Sequence, residues 1–180
     1  MIDTKSILDF WFIQCTPNMW FKKSKSFDEL LRKKFLKTIE ISLKIKSEEI
    51  LISYDTYLSY ILVLDQFTRN IFRNNPKAFQ GDKIAITLSR TAIENNFLQE
   101  NKCDYNSFFL MPIMHSENII DHEFGLSFFK KYTNSNTFKY AQKHKKIIEK
   151  FSRFPHRNET LGRKSSKSEL EFLKLPGSRF

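Results

Sequence analysis

Ser26-Phe27-Asp28-Glu29-Leu30-Leu31-Arg32-Lys33-Lys34-Phe35-Leu36-Lys37-Thr38-Ile39-Glu40-Ile41-Ser42-Leu43 carries the pattern that decides the fold. Phe27, Leu30, Leu31, Phe35, Ile39 and Leu43 recur at three- and four-residue intervals, which a 3.6-residue period gathers into one apolar stripe. Charged residues fill the opposite side. Ser26 followed by Glu29 has the form of a capping box, so the spacing predicts a helix opening there. The same periodicity predicts helices from Thr4 to about Gln14, Thr56 to about Phe67 and Pro76 to about Asn95. It continues over Phe108 to Met114, from Ser116 to about Lys131, and over Asn136 to Phe151. A second capping box, Ser166-Lys167-Ser168-Glu169, opens a terminal helix that runs to about Leu173. Thr16-Pro17-Asn18 interrupts the chain before Trp20-Phe21. Sustained apolar-polar alternation is almost absent, so the expected fold class is all-α, with about 7–9 helices.

Composition agrees with one packed unit. The 180 residues include 19 Phe but only 4 Gly and 5 Pro, and a chain of this length buries roughly two-thirds of its unfolded surface. Residues 1–180 are therefore expected to form a single domain, without internal repeats or a low-complexity linker. Cys15 and Cys103 lie far apart without metal-type spacing, which argues for reduced thiols and a cytoplasmic location. Near the start, Asp3 and the amphipathic Ile7-Leu8-Asp9-Phe10-Trp11-Phe12 do not form a secretion leader. No apolar run approaches the ~18 residues of a membrane span.

The net charge of +10 raises the possibility of nucleic-acid binding. Its distribution argues against it: most of the excess is lysine scattered along helical faces (Lys22, Lys23, Lys25, Lys33, Lys34, Lys37, Lys44, Lys46), in a chain rich in Ile and Asn. That bias fits an AT-rich genome. Arg69, Arg73, Arg153, Arg157 and Arg163 differ, since they stand in dense polar-aromatic clusters where the planar guanidinium fork has not been exchanged for lysine.

Three clusters could carry chemistry. In Leu64-Asp65-Gln66-Phe67-Thr68-Arg69-Asn70-Ile71-Phe72-Arg73, Asp65 and Arg69 are four apart and can pair on one helix face, which Arg73 extends. Exposed, such a pair is worth about 0.3–0.5 kcal/mol; the flanking Leu64, Phe67, Ile71 and Phe72 instead point to burial, where pairing is far more demanding. In Met111-Pro112-Ile113-Met114-His115-Ser116-Glu117-Asn118-Ile119-Ile120-Asp121-His122-Glu123, His115 leaves an apolar run and can act as acid, base or ligand, with Glu117 beside it. On a continued helix His115 and His122 would share one face, and Glu117 and Asp121 another. The third cluster is Phe151-Ser152-Arg153-Phe154-Pro155-His156-Arg157-Asn158 with Leu161-Gly162-Arg163, preceded by Tyr140, His144 and Glu149. Its arginines need carboxylates or phosphates, supplied by a ligand or by Glu117 and Asp121 as an internal lock. The Glu-x-x-His spacing of metal sites in helical bundles is absent, so no metal ligand is assigned.

Together these segments resemble the DUF924 family of uncharacterised bacterial proteins, over essentially the whole chain. The matching motifs are Leu8-Asp9-Phe10-Trp11-Phe12, Trp20-Phe21, Leu64-Asp65-Gln66-Phe67-x-Arg69-Asn70-Ile71-Phe72-Arg73, Ala78-Phe79-x-x-Asp82, Met111-Pro112-x-Met114-His115-Ser116-Glu117, and Arg153-Phe154-Pro155-His156-Arg157-Asn158 with Leu161-Gly162-Arg163. The resemblance implies a tetratricopeptide-like helical superhelix and no established reaction or cofactor. Thr68 stands where the family usually has Pro, Ser152 where it has Gly, and His122 where it has Gln. The last departure removes His122 from any shared role.

The expected site is one polar pocket. His115, Glu117 and His156 are its candidate acid-base residues, with Glu117 orienting His115. Asp65, Arg69, Arg73, His144, Arg153, Arg157, Asn158 and Arg163 would bind an anionic small molecule, in hydrolase or transferase chemistry. The alternative is a non-enzymatic scaffold that takes a peptide or protein in its groove while the polar clusters lock its helices. Whether the chain catalyses anything stays open at this point.

Overall fold

A computed structural model describes residues 2–179, and among these no strand occurs. The α-helices are α1 (Thr4–Leu8), α2 (Pro17–Phe21), α3 (Lys25–Ser42), α4 (Tyr54–Ile61), α5 (Thr68–Ile71), α6 (Asp82–Glu94), α7 (Cys103–His115), α8 (Ile119–Tyr132), α9 (Ser135–Phe151) and α10 (Lys167–Phe172). A π-helical turn over Leu62–Phe67 joins α4 and α5 into one rod, leaving nine helices among the described residues. None of these is long and apolar enough to cross a membrane.

Helix starts differ from the spacing where a nearer side chain caps better. Helix α3 opens before Ser26: the Ser24 hydroxyl accepts from the Phe27 amide at 3.4 Å, and Ser26 sits in the first turn. Asp3 rather than Thr4 caps α1, accepting from the Ser6 amide at 3.0 Å, and Ser53 caps α4 ahead of Thr56. The capping box at Ser166 and Glu169 forms as its spacing requires. Helix α7 extends well before Phe108, because Asn106 satisfies its side chain against Gln99 and Tyr132, and Ser107 donates to the Cys103 carbonyl. Helix α8 begins at Ile119, not Ser116. Ser116 is extended, so α7 ends at His115 and the two helices are separate.

The core is aromatic. Phe27, Leu31, Phe35 and Ile39 of the α3 stripe are buried, with Leu30 and Leu43 at its edge. Trp11, on a second π-helical turn over Asp9–Gln14, is fully buried against Phe67 and Phe108, with ring centroids 5.2 and 5.5 Å apart. Trp20 donates its indole N–H to the Trp11 carbonyl at 2.9 Å. Helices α6, α7, α8 and α9 each pack on the next, and α4 contacts α1, α6 and α7.

Gly81, just before α6, has an ordinary negative φ but no room. A Cβ there would lie 2.3 Å from the Leu64 carbonyl oxygen. This approach brings the start of α6 against the π turn that carries Asp65. Gly81→Ala is therefore expected to cost about 1–3 kcal/mol through overpacking of backbone against backbone, read as a lower thermal midpoint. Ser152 ends α9 in the left-handed region at φ 56°, where glycine escapes the Cβ penalty. Ser152→Gly is expected to raise stability by about 0.5–1 kcal/mol, the relief of strain being partly offset by a more flexible unfolded chain. Chemical denaturation of both variants checks these signs.

Candidate functional site

Asp65 lies in the middle of the π turn and has no solvent exposure. Its carboxylate takes the Arg69 guanidinium at 2.9 Å and the His115 Nδ1–H at 2.8 and 3.0 Å. Gln66 adds its side-chain amide. With Nδ1 committed to a carboxylate, the His115 ring presents Nε2 as its basic nitrogen, and no hydrogen bond reaches Nε2 among the described residues. His115 is thus oriented by Asp65, not by Glu117.

Asp82, at the first residue of α6, completes the cluster. Its oxygens lie 2.9 and 3.0 Å from Arg69 and 3.5 Å from Arg157. Arg157 donates to the His115 carbonyl at 3.0 Å, and its guanidinium carbon sits 4.7 Å from the Phe79 ring and 4.6 Å from the Phe154 ring. Its buried Nε finds no acceptor among the described residues. Arg157 is therefore a buried cation with one good hydrogen bond and one long ion pair, whereas Arg69 is matched by two carboxylates.

The other predicted residues separate into structural pairs. Arg73 does not continue the Asp65 face: it makes a two-pronged contact with Asp28 of α3 at 2.8 and 2.9 Å. Glu117 accepts from the Phe154 amide at 2.8 Å and from Arg163 at 2.6 and 2.9 Å, so both its oxygens are occupied. Arg163 also donates to Asn158, which in turn donates to Ser165. Arg153 grips Glu169 of α10 at 2.7 and 2.8 Å. The internal lock thus exists for Glu117, but Asp121 pairs with Arg90 instead. The break at Ser116 keeps Glu117 and Asp121 off a shared face, and likewise His115 and His122.

His144 and His156 lie beside this cluster. Phe154 is surrounded by His144, His156 and His122 at centroid distances of 5.5, 5.6 and 6.3 Å, and His144 is 6.2 Å from His115. His144 donates Nδ1–H to the Tyr140 carbonyl, and His122 donates Nε2–H to the Ser116 carbonyl, which gives His122 a structural task. No group of His, Cys, Asp and Glu suited to a metal occurs among the described residues, and both cysteines are free.

Charges follow from these surroundings. Burial opposes ionisation of Asp65, but Arg69 and His115, with the hydrogen bonds from His115 and Gln66, outweigh it and hold the carboxyl well below its usual range. Burial lowers the His115 imidazole, helped by Arg69 and Arg157, and Asp65 does not reverse the shift. Burial also takes His144 and His156 down to about 3, assisted by His115 at the first and by Arg157 at the second. Burial and Arg69 bring Arg157 down to about 10. At neutral pH the histidines are uncharged, and Asp65 and Asp82 balance Arg69 and Arg157.

Access is limited but real: His115, Arg69 and Asp82 side chains keep 18, 18 and 19% exposure. Of two surface hollows, one is walled by Asn18, Met19, Lys22 and Phe27, and the other, walled by Glu117, Asn118, Ile148 and Glu149, reaches the carboxylate that holds Arg163.

A helical protein with a buried aspartate-histidine pair beside an under-matched arginine is the class these features define. The chain matches the family model described as a bacterial protein of unknown function (DUF924) over residues 7–177, and it belongs to that family. A solved structure of a protein of unknown function from Agrobacterium tumefaciens is 29% identical, with a TM-score of 0.88, covering 95% of this chain and 96% of that one. No protein with a curated description matches it.

Sequence reasoning placed Asp82 in a motif but gave it no role. Its acidic character at a helix start was the available signal, since nothing local shows that α6 abuts the π turn.

The neutral histidines make stability pH-dependent. Unfolded, each binds a proton near its ordinary 6.5, while folded His144 and His156 do so only near 3. The unfolded chain therefore holds more protons between these values, and stability falls as pH drops through that window. The depressed carboxyls of Asp65, Glu117 and Glu169 add their loss only in the acid range, below about 4.5. The thermal midpoint is expected to decline from about pH 6.5 downward, less steeply in His144→Gln; a midpoint flat to pH 4.5 would contradict this assignment.

Proposed function

We propose that the chain binds a small anionic molecule beside Arg157 and that His115, held by Asp65, moves a proton to or from it. The reaction class is hydrolase- or transferase-type acid-base chemistry. The carrying observation is the juxtaposition of two incomplete groups, since Arg157 touches the His115 carbonyl itself. A neutral imidazole with its Nδ1–H on a buried carboxylate is a prepared general base. An arginine with unspent donors a residue's width away is a prepared anion anchor, each charge-assisted bond adding roughly 1.5–3 kcal/mol. Asp82 and Arg69 position these two groups. His144 and His156 shape the surrounding wall, and Arg153, Asn158, Arg163 and Glu117 hold the loop that presents Arg157.

We read residues 1–180 as one cytoplasmic domain, supported by a main core that draws on residues from Ile7 to Ala141. The successive packing of α6 to α9 supports the tetratricopeptide-like likeness. Arg73, Arg90, Arg153 and Arg163, each matched to a carboxylate, are architectural in this reading.

Arg157→Met separates binding from folding. The side chain is similar in volume and removes a poorly matched buried charge, so the thermal midpoint is expected to hold within a few degrees or rise. Gently purified wild-type protein is expected to show excess mass under native conditions that the denatured chain lacks and that Arg157→Met loses. A variant that unfolds would make Arg157 a lock, and a wild-type mass equal to that of the bare chain would favour a scaffold for peptide or protein partners.

A further inference from the structure

The two anion chemistries that arginine serves, carboxylate and phosphate, make different demands on the ground around Arg157. The first demand is charge. Asp65 and Asp82 already balance Arg69 and Arg157 within 2.9–3.5 Å, and Glu117 with Arg163 forms the adjoining closed pair. The cost of bringing an ion into such a low-dielectric site rises with the square of its charge, so a dianion meets about four times the penalty of a monoanion. No further cation joins the hydrogen bonds or ion pairs of the Asp65–Asp82 cluster among the described residues, and Lys23 acts on it only at longer range, through His156.

The second demand is shape. Phe79 and Phe154 both stand against the Arg157 guanidinium, whose carbon is 4.7 and 4.6 Å from their ring centroids. The donors of a guanidinium all lie in its plane, so an anion meets them with these apolar rings close by. A carboxylate is planar and can place both oxygens in that plane. A tetrahedral phosphate holding two oxygens there must turn the others out of the plane, where the neighbouring rings donate no hydrogen bond. A third constraint is position: the His115 backbone carbonyl accepts from Arg157, so an anion on the remaining donors lies beside the imidazole that Asp65 orients.

We propose that the ligand of this site is a small monocarboxylic acid, gripped in plane by Arg157 beside Phe79 and Phe154, with its reacting group turned toward His115 Nε2. This rests on the anion-site reading above and narrows it. Phe79 becomes a specificity-determining residue, because its ring stands against Arg157 at 4.7 Å and more loosely against Arg69 at 5.6 Å.

The test is titration of the full chain with propionate, benzoate and inorganic phosphate at pH 8, where phosphate is largely dianionic, at constant ionic strength, by calorimetry and thermal shift. Propionate or benzoate is expected to bind at least tenfold more tightly than phosphate, and Arg157→Met to abolish that binding. In Phe79→Leu the carboxylate preference is expected to shrink several-fold while the fold persists. Phosphate binding as tightly as the carboxylates, with both lost in Arg157→Met, would overturn the carboxylate assignment and leave the anion site standing. No binding of any of the three would overturn both. Binding unchanged in a folded Arg157→Met variant would place the anion elsewhere and overturn them as well.

Discussion

The buried carboxylate of Asp65 is the constraint on which the rest of the site depends. A charge with no solvent contact costs several kcal/mol unless it is paired and hydrogen-bonded. Here the partners come from three directions: Gln66 beside it, Arg69 four residues on, and His115 from the end of α7. Satisfying one group therefore fixes the rod formed by α4, the π turn and α5 against α7. The π turn contributes directly, since all six of its residues are buried and its backbone admits Gly81 at near contact. That contact delivers Asp82, and Asp82 brings Arg69 and Arg157 into the same network.

The helices were legible in the sequence because their signal is repetitive. The stripe from Phe27 to Ile39 needs only a period, and the capping box at Ser166 only four residues. What periodicity did not show were the π turns and the first turns of α3 and α7. A π turn changes the hydrogen-bond step without changing composition, and the early part of α7 is fixed by Asn106 finding one partner in the loop before it and one at the end of α8. The site divided along the same line. Asp65 with Arg69 was readable, being an i,i+4 pair. The partners of His115, Arg73 and Arg153 were not, because each lies on another element. Glu117 was readable as a lock for the arginines after α9, but not which of them it meets, which is Arg163.

Two residues singled out by the resemblance have local tasks. Thr68 donates its hydroxyl to the Leu64 carbonyl at 2.7 Å. His122 makes a single donation to the Ser116 carbonyl, which an amide could also make. Both side chains serve backbone carbonyls, and the Thr68 hydroxyl also lies 3.5 Å from the Asp65 carbonyl.

Phe154 belongs to a small satellite core, with Ile147 and Ile148, rather than to the main one. The segment that carries Arg157 is therefore joined to the rest of the protein outside the aromatic centre around Trp11, through Glu117 on the Phe154 amide and on Arg163 and through Arg157 on the His115 carbonyl. Its position is thus a matter of hydrogen-bond geometry, which a change of one carboxylate can alter without disturbing the main core.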